Sequence, residues 1–193
     1  MPVGQSLTRP DGPVVTSEKT LRALTAIRRH KLLPTLYGQV AIGLSNYDAV
    51  RGALAEVEPA AGGPVVVDGD KGYTVAPGVP WLFVVADRPE QALPARVDFP
   101  QASTASEAAT LRIALAIPAS LVLLDGPIKE RAKLSFIKAE GTLSILVNAF
   151  RQGHLSAVPP MVKALEKLGH ADVLPPKEML EALWKALEKL EEA

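Results

Sequence analysis

Two carboxylates carry most of the chemistry this chain could perform. Glu107 lies in the first turn of a helix opened by Thr104, and Asp125 ends the apolar run Ser120-Leu121-Val122-Leu123-Leu124. A run of that kind is buried on both faces in α/β proteins. A helix that starts and a strand that ends at one edge of a parallel sheet place both acids there, and active sites of open α/β sheets lie at the carboxyl edge. Two acids on a shared crevice are a common way to hold a hard divalent cation for phosphodiester chemistry. On spacing alone the pair is part of a site, with further ligands to be found.

Composition narrows the setting. At 193 residues the chain is one domain, or one domain with an appended element, and can bury a real core. Its 21 basic and 21 acidic residues cancel, so any contact with nucleic acid must come from a local patch. The absence of cysteine excludes disulfides, thiolate metal sites and cysteine nucleophiles. The three histidines, His30, His154 and His170, have no metal-ligand spacing. Without an apolar signal core or a membrane-length run, a cytoplasmic protein without membrane contact is expected.

The elements that must position the acids follow from pattern. After a polar lead over 1–13, a strand at 14–16 precedes a helix capped by Ser17, with Leu21, Leu24 and Ile27 on one face. That helix ends at the basic run Arg28-Arg29-His30-Lys31. A second strand at 39–42 leads to a helix from Ser45 through Tyr47, Val50 and Leu54. The Gly/Pro-rich stretch 58–80 reads as an inserted hairpin, with 64–67 and 73–75 flanking Asp68 and Asp70 as turn residues. A strand at 81–85 and an irregular link to Gln101 precede the 103–125 unit. A helix at 127–136, a strand at 137–139 and a helix at 142–151 follow. Two helices at 158–168 and 176–190 form a terminal hairpin. Alternating strands and helices predict a parallel sheet covered on both faces.

The order of these pieces resembles the PIN-domain proteins, in the branch related to toxin-type (VapC-like) ribonucleases. The resemblance rests on Val14-Val15-Thr16-Ser17, Leu24-Thr25-Ala26-Ile27, Leu32-Leu33-Pro34, Leu36-Tyr37-Gly38-Gln39-Val40 and Trp81-Leu82-Phe83-Val84. It continues through Ser106-Glu107-Ala108, Leu123-Leu124-Asp125, Glu140-Gly141-Thr142-Leu143 and Gly153-His154-Leu155. It implies a three-layer α/β/α fold with about five parallel strands, in which three or four acids bind Mg²⁺ or Mn²⁺ and a metal-activated water cleaves RNA.

Carried across, the resemblance gives Glu107 and Asp125 as catalytic metal ligands. The acid that should end the first strand falls at Ser17, and that of the second helix at Ala49, with Asp48 one residue early. The acid preceding Glu107 falls at Thr104, and Gly126 follows Asp125. Ser17 could add a neutral oxygen, whereas Asp48 is turned by about 100 degrees on the helix. Each candidate also has a plain structural reading. Thr104 and Glu107 fit a capping box, Asp125 before Gly126-Pro127 fits an Asx-type turn, and Ser17 and Thr142 fit helix caps. Asp48 fits an exposed helical acid. Arg28, Arg29 and Lys31 either complement the end of a helix dipole or contact phosphate.

The expected architecture is therefore a PIN-like domain over 14–155, preceded by an extension and followed by a helical hairpin over 156–193 packed on it. In that hairpin Met179, Leu180, Leu183, Trp184, Leu187 and Leu190 form an apolar stripe that covers the domain, a second copy or an antitoxin-like partner. Three functions follow: a nucleic-acid-associated protein with a degenerate metal site and weak or lost nuclease activity, an active Mg²⁺- or Mn²⁺-dependent endoribonuclease, or an interaction module acting through its C-terminal helices; a homo-oligomer is expected.

Overall fold

The computed structural model describes residues 11–91, 104–126, 128–129, 132 and 137–191, with side chains described up to 187. Among these, strands β1 (Val14–Thr16), β2 (Val40–Gly43), β3 (Tyr73–Ala76), β4 (Val79–Val85), β5 (Leu121–Leu123) and β6 (Ala139–Glu140) form one sheet in the order β3-β4-β2-β1-β5-β6. The β4, β2, β1, β5 and β6 neighbours pair in parallel, and β3 adds to β4 antiparallel. The expected five parallel strands are thus present, with one antiparallel edge strand beyond them.

Alternation along the strands divides the core into two layers. Val14, Val40, Ile42, Leu82, Val84, Leu121 and Leu123 face one side. There they pack on helices α1 (Glu18–Ala26), α2 (Leu32–Tyr37), α3 (Leu44–Val57), α5 (Thr142–Arg151), α6 (Pro159–Lys167) and α7 (Lys177–Glu191). Val15, Ala41, Val85, Val122 and Leu124 face the other side, against Leu111, Ile113 and Ala114 of α4 (Ala105–Ala116). Sheet residues with period two and helix residues with period 3.6 meet on both faces, the three-layer arrangement that parallel strands require.

Two expectations are corrected. Segment 64–67 forms no strand; Val66 is 85% exposed, and the hairpin is instead β3 with β4, joined through Pro77 and Gly78. Gly78 has φ 66, and a Cβ there would lie 2.4 Å from that of Ala60, so the turn needs glycine on both counts. The second departure is α2, where the sequence offered only a motif. Its Pro34 sits in the first helical turn, where a missing N–H leaves no intrahelical bond unmade. Asp68 does act in a turn: its Oδ1 accepts from the backbone N–H of Asp70 at 3.0 Å. Of the helix expected at 127–136 the structure describes Ile128, Lys129 and Ala132, all helical, with Ile128 and Ala132 buried in the core of Val122 and Leu124; its other residues and the Leu190 side chain lie outside the described residues. In the C-terminal helix Leu180 and Leu187 are buried in the same core as Val162 and Leu165, whereas Met179 is 62% exposed. Among the described residues no helix is long and apolar enough to cross a membrane.

Candidate functional site

The strand order sets the site. The chain runs outward from central β1 through β2 to β4, then returns to place β5 on the other side of β1, so the switch point lies between β1 and β5 at their carboxyl ends. Ser17 and Asp125 leave the sheet there. The backbone N–H of Ser17 donates to the carbonyl of Leu123 at 2.9 Å, which locks the two exits together.

Asp125 is 3% exposed and its carboxylate is heavily engaged. Oδ1 accepts from the backbone N–H of Thr142 at 2.8 Å, while Oδ2 accepts from the Thr142 hydroxyl at 2.6 Å and the Thr20 hydroxyl at 2.7 Å. Ser17 extends the chain of hydroxyls, its Oγ donating to Thr20 Oγ1 at 3.0 Å and accepting from the Thr20 N–H at 3.2 Å. Ser17, Thr20 and Thr142 are all fully buried. Gly141 closes the remaining side, since a Cβ there would fall 2.5 Å from Asp125 Oδ1. Burial raises the Asp125 carboxyl above its usual range, and the hydrogen bonds from Thr142 and Thr20 offset only part of that rise.

The cluster sits at the start of two helices. Ser17 caps α1, and Thr142 is the first residue of α5, so the positive ends of both dipoles face the Asp125 carboxylate. The dipoles and hydrogen bonds, with the Lys129 ammonium nearby, offset part of the cost of burying the Asp125 carboxylate.

The other expected ligands are arranged differently. Glu107 is 9% exposed and completes a capping box: Thr104 N–H donates to its Oε2 at 2.9 Å, and its own N–H donates to Thr104 Oγ1 at 3.3 Å. Its Oε1 faces Gly126, 3.9 Å from where a Cβ would stand, on the side of the Lys19 ammonium. Lys19 pairs with Asp172 at 2.8 Å across the mouth of the crevice. Asp48 does not join the site; its carboxylate is half exposed and pairs with Arg51 at 3.3 Å. Asn46 is the α3 residue turned inward, donating to Thr110 Oγ1 at 2.9 Å and to the Ser106 carbonyl at 3.2 Å. Glu140 turns away as well, accepting from the Tyr37 hydroxyl at 2.9 Å and from Asn148 Nδ2 at 3.2 Å. Burial and the neighbouring Glu140 push the Tyr37 phenol far up.

Arg28, Arg29 and Lys31 lie elsewhere. They follow the C-terminal end of α1, whose nine residues span about 14 Å from Ser17. The expected basic patch and the expected acidic site are therefore at opposite ends of one helix. The sequence reading missed Thr20, Thr142 as a ligand of Asp125, and Asn46. A signal was present in the pair Ser17 and Thr20, two hydroxyls one turn apart after a buried strand.

A mostly parallel sheet with a carboxylate at its switch point has a counterpart among known families. Residues 81–188, more than half of the chain, match the family model DUF3368, described as a PIN domain. The chain belongs to this PIN-domain family. No curated protein and no solved structure matches it. PIN domains have a nuclease-type fold and generally depend on a divalent metal ion. The donors described here do not fit such an ion. A carboxylate offers about four lone-pair positions, and Asp125 commits three of them to N–H and O–H donors. Among the described residues no group of three or more acidic or histidine side chains could hold a metal.

Proposed function

We propose that this PIN-domain protein associates with nucleic acid without cleaving it, its metal centre having become a hydrogen-bonded hydroxyl cluster. The observation that carries this reading is the saturation of Asp125 by Thr20 and Thr142. To ligate Mg²⁺ or Mn²⁺, Asp125 would have to give up hydrogen bonds that are buried and satisfied. Glu107 would have to supply its Oε1 alone, and Ser17 brings no charge. On this reading Glu107 and Ser17 are helix caps, and Asp125 holds together β5, α1 and α5. The chain would then be a non-cleaving relative of toxin-type ribonucleases.

Calorimetric titration of Mn²⁺ into the wild type and into a Ser17→Asp/Ala49→Glu variant tests this, with each protein also incubated with RNA. No saturable Mn²⁺ binding and no cleavage are expected for the wild type, and a gain in Mn²⁺ affinity for the variant. Tight binding by the wild type, with RNA turnover that disappears in Glu107→Ala, would overturn the reading in favour of an active endoribonuclease.

A further inference from the structure

Among the described residues three helices end in the same backbone motif, and one of them breaks its rule. At the end of α5 the N–H of Gly153 donates to the Phe150 carbonyl at 2.9 Å and that of His154 to Ala149 at 2.8 Å. At the end of α6 the N–H of Gly169 donates to Glu166 at 3.2 Å and that of His170 to Leu165 at 2.8 Å. These paired bonds define the Schellman motif, whose penultimate residue is left-handed and usually glycine; Gly153 and Gly169 have φ 76 and 81. The end of α1 repeats the pattern, Arg28 to Thr25 at 2.9 Å and Arg29 to Leu24 at 2.7 Å. Here the left-handed position, at φ 55, is held by an arginine. A side chain at that φ is disfavoured by contact of its Cβ with the backbone. The turn alone would favour glycine; the arginine instead sets a positive charge at the helix end, which the dipole favours, and leaves its guanidinium exposed.

What surrounds Arg28 indicates its role. Because α1 and α5 both start at the carboxyl edge of the sheet, both finish at the opposite edge. Their ends meet around a concavity of about 510 Å³ lined by Arg28, Arg29, Lys31, Thr35, His154 and Ser156, all exposed. Lys31 is paired with Glu58, which is itself mostly buried. Arg28 and Arg29 have no carboxylate partner among the described residues. Two unpaired guanidinium groups in a polar hollow, on a chain of zero net charge, form a local cation site for an anion with several oxygens.

We infer that this hollow binds the phosphate backbone of a nucleic acid, so that the chain holds its ligand by the end opposite the Asp125 crevice. The inference rests on the proposed non-cleaving, nucleic-acid-associated function and gives it a surface. Planar guanidinium groups match phosphate oxygens two at a time, while the Ser156 and Thr35 hydroxyls and the His154 ring offer neutral partners at the rim. Such contacts position a strand and carry no sequence preference of their own.

The test measures binding of short single-stranded RNA and DNA oligonucleotides of one sequence, by fluorescence anisotropy over a range of salt. Variants are Arg28→Gly, Arg28→Glu/Arg29→Glu, Lys129→Glu at the crevice and Lys185→Glu on the C-terminal helix. The double reversal should reduce the steepness of log affinity against log salt by about 1.4 and Arg28→Gly by about 0.7. Lys129→Glu and Lys185→Glu should leave the slope unchanged. Arg28→Gly should also melt near the wild-type temperature, with the protein fully folded at the assay temperature, so its lost affinity cannot come from unfolding. Oligonucleotide binding indifferent to Arg28 and Arg29, or abolished by Lys129→Glu, overturns the hollow as the site while leaving nucleic-acid association intact. Inorganic phosphate bound as tightly as the oligonucleotides would overturn the assignment to a polynucleotide. Failure of every protein to bind either oligonucleotide at low salt would remove both the inference and the function on which it rests.

Discussion

The two ends of the α1 and α5 pair handle charge in opposite ways. At the carboxyl edge of the sheet, both helices begin on a single carboxylate that is buried and satisfied by Thr20 and Thr142. At the other edge, both helices end in one backbone motif, beside exposed cations of which Arg28 and Arg29 have no carboxylate partner among the described residues. Helix dipoles favour a negative charge at the first end and positive charges at the second, so electrostatics alone explains the signs. It does not explain the difference in burial. The acid is sequestered as a structural part would be, whereas the cations remain available to solvent and to ligands. In a PIN domain the expectation is the reverse, with accessible acids at the crevice.

The comparison breaks most readily at Asp125. Asp125→Ala would leave the Thr142 N–H and two hydroxyls buried without an acceptor, and should cost about 3 kcal/mol or more of stability. Asp125→Asn keeps one acceptor oxygen and should cost less. Urea denaturation with circular dichroism checks both. A loss under about 1 kcal/mol for the alanine variant would mean that the carboxylate is not structural, and would reopen the metal site.

Titration should separate the two ends next. The Asp125 carboxyl is raised above its usual 3.8, so between 3.8 and the folded value the native state holds more protons than the unfolded state. Its contribution to stability therefore grows as pH falls through the raised value. His30, buried beside Arg29 and Lys31, behaves in the opposite sense. Desolvation, with a smaller effect of Lys31, lowers its imidazole below 6.5, so just under pH 6.5 the unfolded state holds more protons and stability falls with pH. The two groups therefore pull the denaturation midpoint in opposite directions as pH falls. Relative to the wild type, His30→Gln should lessen the loss of stability on acidification and Asp125→Asn should deepen it. A wild-type profile that neither variant alters would show that these groups are not the ones titrating.

How much of this could be read from the chain depends on how local each feature is. The strands β1 and β5 declare themselves as continuous apolar runs, α5 starts and stops where glycine and periodicity place it, and the capping box at Thr104 and Glu107 spans a single turn. Helix α2 was hidden because Leu32, Leu33 and Leu36 give too short a period around Pro34. The segment 64–67 has the composition of a strand, but β4 pairs instead with 73–76 across a two-residue turn, a choice made by the sheet edge. The hydroxyls around Asp125 come from 105 residues before it and 17 residues after it, a convergence that only the completed sheet produces. The plain readings of Ser17 as a helix cap and of Thr104 with Glu107 as a capping box were legible because each spans a single turn. The left-handed state of Arg28 has no sequence signature, because arginine is not a residue that signals it.

A smaller effect is expected at Glu107, which tests whether the second acid belongs with the structural end. Glu107→Ala removes the reciprocal half of a capping box and should cost about 1 kcal/mol. Glu107→Gln retains the acceptor and should stay within about 0.5 kcal/mol of the wild type. Equal losses for the two variants would indicate that the charge matters, as it would for a bound cation.

The smallest effect bears most directly on why the far end carries arginine. In Arg28→Gly, relief of left-handed strain contributes about 1–2 kcal/mol in favour of folding. The added freedom of glycine in the unfolded chain takes back about 0.4–1 kcal/mol, and the lost charge at the helix end about 0.3–1 kcal/mol. The three contributions nearly cancel, leaving a net change between about 1 kcal/mol destabilising and about 1.3 kcal/mol stabilising, centred near zero, and Gly153→Ala at the equivalent position of α5 should lose about 1 kcal/mol. Denaturation of both variants measures the contrast. If Arg28→Gly is instead as damaging as Gly153→Ala, the arginine is serving the fold and both ends of the helix pair are structural. If it is neutral for the fold and harmful for binding, the chain retains a disfavoured backbone residue because its guanidinium faces a ligand.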